Sequence, residues 1–254
     1  MQILLASAKI MHDVLKTAPD VALSAPRFAH EAEAFASDMA QYSTEAIAEM
    51  LGCSLQIAGQ NKLRFMRFFE ETKKMPAILA YHGQAYKHLK AETLPKADLN
   101  YAQEHLWITS FLYGLLRPLD GILPYRLEGS VELPSGAGEN MFGFWKSRLT
   151  DVLINTVKAD DGILIHLATE EYQHLFDWQR VRREVHLVQP LFYVRKGHDL
   201  KIQAVWAKTC RGAMTRFIIE HRITKPNDLS AFSYEGFAYE PSLGDNDYPH
   251  FIRP

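Results

Sequence analysis

Apolar and polar positions along this chain change period several times, and each change marks an expected element. A short apolar run within Gln2 to Ala6 reads as a strand. From Arg27 to about Met50, Phe28, Phe35, Met39, Ile47 and Leu51 recur at three- and four-residue steps, the spacing of a helix face. Ser43 or Thr44 is placed to cap a helix that ends near Gly52, and Ser54 to cap a second from Leu55 to Phe69. "MPAILAY" and "GILIHLA" are short apolar runs that read as buried strands, as does a stretch from Leu106. Gln84 to Lys90 and Asn140 to Val157 read as helices, Asp98 as a cap for another, and Thr169 as the cap of a short one. "LLRPLDGILPYRLE" reads as a stiff surface loop. Two β-rich runs flank "RKGHD", a hairpin with Gly197 in its turn. Pro190 suits a bulge or an edge. A helix follows over 207–226, "FSYEGFAYE" is a last strand, and the residues after it are acidic and turn-rich.

No repeat, linker or low-complexity tract divides the 254 residues. The expectation is one mixed α+β domain, 1–254, with strands and helices too irregular in order for a doubly wound sheet. No glycine-rich phosphate loop follows any strand. Two distant cysteines, Cys53 and Cys210, and no run near membrane length point to a reducing, cytoplasmic setting without a membrane span.

Charge changes the picture locally. The whole chain carries a formal −2, yet eleven lysines and arginines face three acids between Trp178 and Lys225. On a helix, Lys208, Arg211 and Arg222 fall within about 60° of one another, with apolar residues on both sides. Such a helix is packed on two sides, and its cations emerge into a groove. Arginine suits bidentate phosphate recognition there. The plainer reading pairs these cations with acids from elsewhere, such as Glu128 or Glu235. Arg117 and Arg126 sit on the proline-rich loop. Lys62, Arg64 and Arg67 interleave with phenylalanines, a mixture that suits nucleic acid, although core packing explains those phenylalanines too. The turn Leu51–Ser54, opening a helix, is a helix–hairpin–helix candidate within 43–69, whose N–H groups could hold a phosphate.

Several stretches together resemble the peroxide-stress protein YaaA family. They are "SAKI", "YHGQAY" at 81–86, "LYGLLRPLDGILPYRLE" at 112–128, "FGFW", "IHLATEEY" at 165–172, "AKTCRGAMTRFIIEHRI" at 207–223 and "FSYEGF". The resemblance implies a cytoplasmic protein that protects against peroxide and helps keep free iron low. It implies a mixed α/β fold of unusual topology with a basic cleft, and binding to duplex or distorted DNA. On this sequence the cleft cations are Lys9, Arg117, Arg126, Lys208, Arg211 and Arg216. The chain departs from the family pattern at Gln84, where Asp is usual, at His166, where Asn is usual, and at Phe111, where Gly is usual.

The expectation is therefore a DNA-binding protein of low sequence specificity. Arg211 and Arg216 contact phosphates, Arg117 and Arg126 line the opposite wall, and the Gly52–Ser54 turn grips the backbone, with Lys62 and Arg64 beside it. The single E-x-x-H at Glu171–His174 falls short of a diiron pattern, so no metal or cofactor is expected. The alternative is an enzyme acting on a nucleobase or nucleotide, in a pocket that joins Lys9, Glu171 and Tyr172 as base, acid and polar handle.

Overall fold

The structure is a computed structural model that describes residues 1–15 and 21–254. Its first element, β1 (Gln2–Leu5), is buried along its whole length. Such a strand needs neighbours on both edges and cover on both faces. After it come α1 (Ala29–Gln41), α2 (Thr44–Leu51) and α3 (Leu55–Met66). Ser43 and Ser54 cap α2 and α3, their hydroxyls accepting from the N–H groups of Ala46 and Ile57. Gly52 between them takes the left-handed conformation, φ 54°, that ends α2.

The Met75–Tyr81 run yields only β2 (Met75–Pro76) before it coils into α4 (Ala77–Ala80). Pro76 lacks the N–H that would carry a strand onward. Next are α5 (Gln84–Leu89) and α6 (Lys96–His105). Asp98 does not cap α6; its carboxylate accepts from Arg222 at 2.6 Å. Then come β3 (Leu106–Ser110), β4 (Gly114–Leu116) and β5 (Gly121–Ile122), the last paired with β2. The segment 115–128 is no surface loop: Leu115, Leu116, Leu119, Ile122, Leu123, Tyr125 and Leu127 are all buried.

Asn140 caps α7 (Met141–Ala159), and β6 (Ile163–Leu167) leads through α8 (Glu170–Gln173) and α9 (Trp178–Glu184) to β7 (His186–Val188). The hairpin of β8 (Leu191–Lys196) and β9 (Asp199–Lys201) turns at Gly197 as expected. It is followed by α10 (Ala204–His221), β10 (Ser233–Tyr234), β11 (Phe237–Gly244) and β12 (Pro249–Arg253).

The first sheet has the order β4-β3-β1-β6-β7, with β3, β1, β6 and β7 mutually parallel and β4 antiparallel on its edge. The mixed α/β class holds, but the irregular order of elements conceals a parallel core. The crossover from β1 to β3 carries α1 to α6, far more than one helix, which hides the β–α–β unit. The second sheet has the order β10-β11-β12-β8-β9. Its middle strand, β12, comes from the tail expected to be only turns. Helix α10 lies against α5, β1 and β8 and so links the two sheets. A Cβ on Gly212 would stand 1.8 Å from the Ala85 carbonyl oxygen, so only glycine lets α10 approach α5 this closely.

Candidate functional site

From β1 the chain crosses to β3 on one side, and from β6 it crosses to β7 on the other. The carboxyl ends of β1 and β6 therefore flank a switch point, where parallel sheets open a crevice for ligands. The loop after β1 brings Ser7, Ala8 and Lys9, and the loop after β6 brings Tyr172. Ser7 Oγ and the Tyr172 hydroxyl lie 3.0 Å apart and tie the two loops together. The Tyr86 hydroxyl donates to the Ala6 carbonyl at 3.0 Å and anchors the first loop.

A third wall comes from residues 125–128. Asn61, buried on α3, donates to the Arg126 carbonyl at 2.7 Å and accepts from its N–H at 2.8 Å. That clamp sets Glu128, whose carboxylate meets Lys9 Nζ at 2.7 Å and Arg126 at 3.2 Å. The Lys9 side chain is 55% exposed and that of Glu128 only 12%. Phe111 lies over Tyr172 with centroids 5.0 Å apart and planes 14° apart. Together these groups enclose a recess of about 10 Å³, room for one water.

Beneath the recess is a chain of hydroxyls. Tyr125 is 2.6 Å from Ser110 Oγ and 2.8 Å from the Tyr81 hydroxyl. Burial pushes Tyr125 up to about 12 and raises Tyr172 and Tyr81 as well. All three are neutral hydroxyls near pH 7, able both to donate and to accept.

Across the crevice stands α10. Arg222, at its end, lies over the Tyr101 ring of α6 at 4.3 Å. Arg211 lies eleven residues earlier, three turns back and on the same face of the helix. It comes within electrostatic reach of His166 on β6 and of Glu170 in the loop beyond. Lys208, one turn further back, is exposed.

Of the six expected cleft cations, Lys9, Arg117, Arg126 and Arg216 are engaged within the fold, and Lys208 and Arg211 have no hydrogen-bond or ion-pair partner among the described residues. Lys9 and Arg126 share Glu128. Arg64 is bound to Asp13 at 2.7 Å. Lys62 donates to the carbonyls of Ala40 and Tyr42 at the end of α1. Arg216 is spent on the Leu89 and Lys90 carbonyls, Thr93 and Glu220. Arg117 bonds Gln2 and the Glu104 and Leu106 carbonyls, and packs 3.4 Å above Trp107. It lies at the amino end of β1, whereas Arg126 belongs to the recess beyond the carboxyl end, so the two share no wall. The plainer reading, acids folded in from elsewhere, accounts for two members of the charged segment, Arg180 through Asp151 and Arg222 through Asp98; Glu128 and Glu235, the acids expected, pair with none of its cations among the described residues. Arg180 also binds Glu184.

The helical turn also has fewer donors to offer a phosphate than expected. The N–H groups of Gly52 and Cys53 go to the Glu49 and Ala48 carbonyls, and the Ser54 hydroxyl is engaged with Ile57. Of the alternative trio, Lys9 and Tyr172 do line one recess. Glu171 is exposed on the turn beside it, and Glu128 supplies the acid in its place. Ser7 and Tyr125 were missed. They sit within "SAKI" and "LPYRLE", stretches that carry the resemblance, but no motif marks a lone hydroxyl. No group of three or more metal-ligating side chains occurs among the described residues, and none of the described helices is long and apolar enough to cross a membrane.

Comparison with other proteins places the chain. It is 44% identical over 254 residues to a UPF0246 protein of Bacteroides thetaiotaomicron, covering 100% of this chain and 98% of that one. A UPF0246 protein of Parabacteroides distasonis is 38% identical, with both chains covered in full. One from Phocaeicola vulgatus is 45% identical over 218 residues, 85% of each. Residues 1–243 match the family described as peroxide stress protein YaaA, and the chain belongs to that family.

Proposed function

We propose that this chain serves in peroxide stress through acid–base chemistry on a nucleobase or nucleotide, carried out at the recess between the loops after β1 and β6. The observation that carries the reading is the convergence at the switch point. Ser7 and Tyr172 join the two loops at 3.0 Å, and Lys9 and Glu128 face each other at 2.7 Å in the same recess. A shielded carboxylate beside an accessible amine is a pair across which a proton can pass to or from a bound ring. The stacked Phe111 and Tyr172 rings supply a flat apolar wall, and the Ser7 and Tyr172 hydroxyls supply a polar edge. Few polar groups on an apolar wall are what a planar heteroaromatic ligand requires. Lys9, the exposed member of the pair, swings outward to admit it, since the recess as it stands has room for about one water.

Duplex or branched DNA is the rival ligand. Its argument has weakened, because Lys9, Arg64, Arg126 and Arg216 already hold carboxylates. One experiment separates the two. Nucleobases, nucleosides and nucleotides, with their oxidised counterparts, are incubated with the protein and the products weighed by mass spectrometry. Turnover that falls at least a hundredfold in Lys9→Met and Glu128→Gln supports the recess. No turnover, together with DNA binding that falls steeply and linearly on a log–log salt plot, overturns it in favour of the rival.

A further inference from the structure

A guanidinium offers five N–H donors and is always charged, and Arg211 uses none of them on the described residues. No hydrogen bond, ion pair or ring contact engages its side chain among the described residues, although burial is strong enough to lower its pKa. The nearest carboxylate acting on it, Glu170, is itself exposed. Elsewhere in this chain, arginines of the same helix are fully engaged: Arg216 by Glu220 and three oxygens of α5 and the loop after it, and Arg222 by Asp98. Arg211 is different in being desolvated and left open.

A second observation lies beside it. His166 is 1% exposed. It pairs in register with Leu4, so it projects from the sheet face that also carries Gln2 and Trp107. There its ring packs against Trp178 of α9, centroids 4.7 Å apart, and the charge of Arg211 reaches it from α10. The Gln173 amide nitrogen donates to His166 Nε2 at 3.0 Å, which leaves the ring proton on Nδ1. Nδ1 is buried with no partner. An orphaned donor of this kind costs about 1–3 kcal/mol. Burial, and then the charge of Arg211, pull the imidazole down to about 3, so it stays neutral and keeps that donor at physiological pH.

Two unsatisfied donors within electrostatic reach of each other can share one acceptor. We propose that Arg211, His166 and Lys208 form a binding site for a phosphate group in the crevice between β6 and α10. Two phosphate oxygens accept from the guanidinium fork, a third accepts from His166 Nδ1–H, and Lys208 folds over the mouth. Among the described residues the carboxylate acting on Arg211 is that of Glu170, which is exposed and turns to water as the anion enters. The recess at Ser7 and Tyr172 opens from the same switch point. A phosphate held here therefore makes the substrate a nucleotide rather than a free base, an extension that rests on the function proposed above.

The test uses the full chain and inorganic phosphate at low salt, followed by calorimetry and by the imidazole nitrogen resonances of His166. Saturable binding is expected, weakened at least tenfold in Arg211→Gln and less in Arg211→Lys, and unchanged in the surface control Lys146→Gln. The His166 Nδ1–H signal should move as phosphate is added. Absence of saturable binding, equal binding by Arg211→Gln, or an unmoved His166 signal overturns the site. Should Arg211→Gln fail to fold, the exposed Lys208→Gln, expected to weaken binding about threefold, and the His166 signal decide. Nucleoside monophosphates should bind more tightly than phosphate, and Lys9→Met should erase that advantage while leaving phosphate binding intact. Nucleotides no tighter than phosphate would leave the anion site standing and sink the nucleotide reading of the recess.

Discussion

The two ends of β1 set a filled corner against an open one. At the amino end the Met1 ammonium binds Asp160 at 2.8 Å and Asp161 at 3.0 Å. Gln2 donates to the Glu104 carbonyl and Asp160, and Arg117 closes the corner with three bonds and a ring contact. Burial lowers Arg117 to about 10, yet its Nη1 is shared among three acceptors and its plane is stacked on Trp107. Trp107 Nε1 is a buried donor left over there. At the carboxyl end the same residue type, Arg211, is also lowered by burial, but no described residue bonds its side chain, and Nδ1 of His166, within its electrostatic reach, has no partner. Charge and burial alone do not separate a structural arginine from a functional one. What separates them is whether the protein itself has consumed the hydrogen bonds.

That contrast can be broken by experiment. The largest effect is expected at the filled corner. Arg117→Met strands the acceptors of Gln2, Glu104 and Leu106 and should cost about 3 kcal/mol in denaturant unfolding, with phosphate binding unchanged. A loss below 1 kcal/mol would mean that the corner is not held by its arginine.

The middle effect is in pH. The folded-state pKa of His166 lies near 3, far below the ordinary 6.5. As pH falls through 6.5 the unfolded chain takes up a proton that the native ring refuses, so stability drops with falling pH until about 3. Between pH 6.5 and 5 this should cost about 2 kcal/mol, at 1.36 kcal/mol per unit. His166→Asn should flatten that slope, and an unaltered slope would place the acid sensitivity elsewhere. The smallest effect on stability belongs to Arg211→Gln, within about 0.5 kcal/mol, because no bond is lost. If it destabilises as much as Arg117→Met, Arg211 is structural after all.

Local signals were legible in the sequence, and distant partners were not. Ser43, Ser54 and Asn140 cap their helices because a cap is decided within four residues. The apolar runs at Gln2–Leu5 and Ile163–Leu167 are strands because both faces must be buried. Asp98 looked like a cap and instead serves Arg222, 124 residues away. The segment of eleven cations looked like an open strip, but Asp98 and Asp151 reach Arg222 and Arg180 from elsewhere in the fold, and Glu220 holds Arg216 from within it. Pairing order in the sheet was also hidden, since parallel neighbours are joined by connections of any length. The recess was half visible: Lys9 and Tyr172 stood out as chemistry-bearing types, while Glu128 was read only as a counter-charge and Ser7 carried no signal of its own.

The position of β12 has a consequence for how the chain is made. It pairs in parallel with β8 on one side and antiparallel with β11 on the other, so neither hairpin can join the other without it. During synthesis the second sheet must wait, as two separate ribbons with sticky edges, until residues 249–253 leave the ribosome. Trimming or crowding that short strand should therefore yield protein that clumps rather than protein that merely melts earlier.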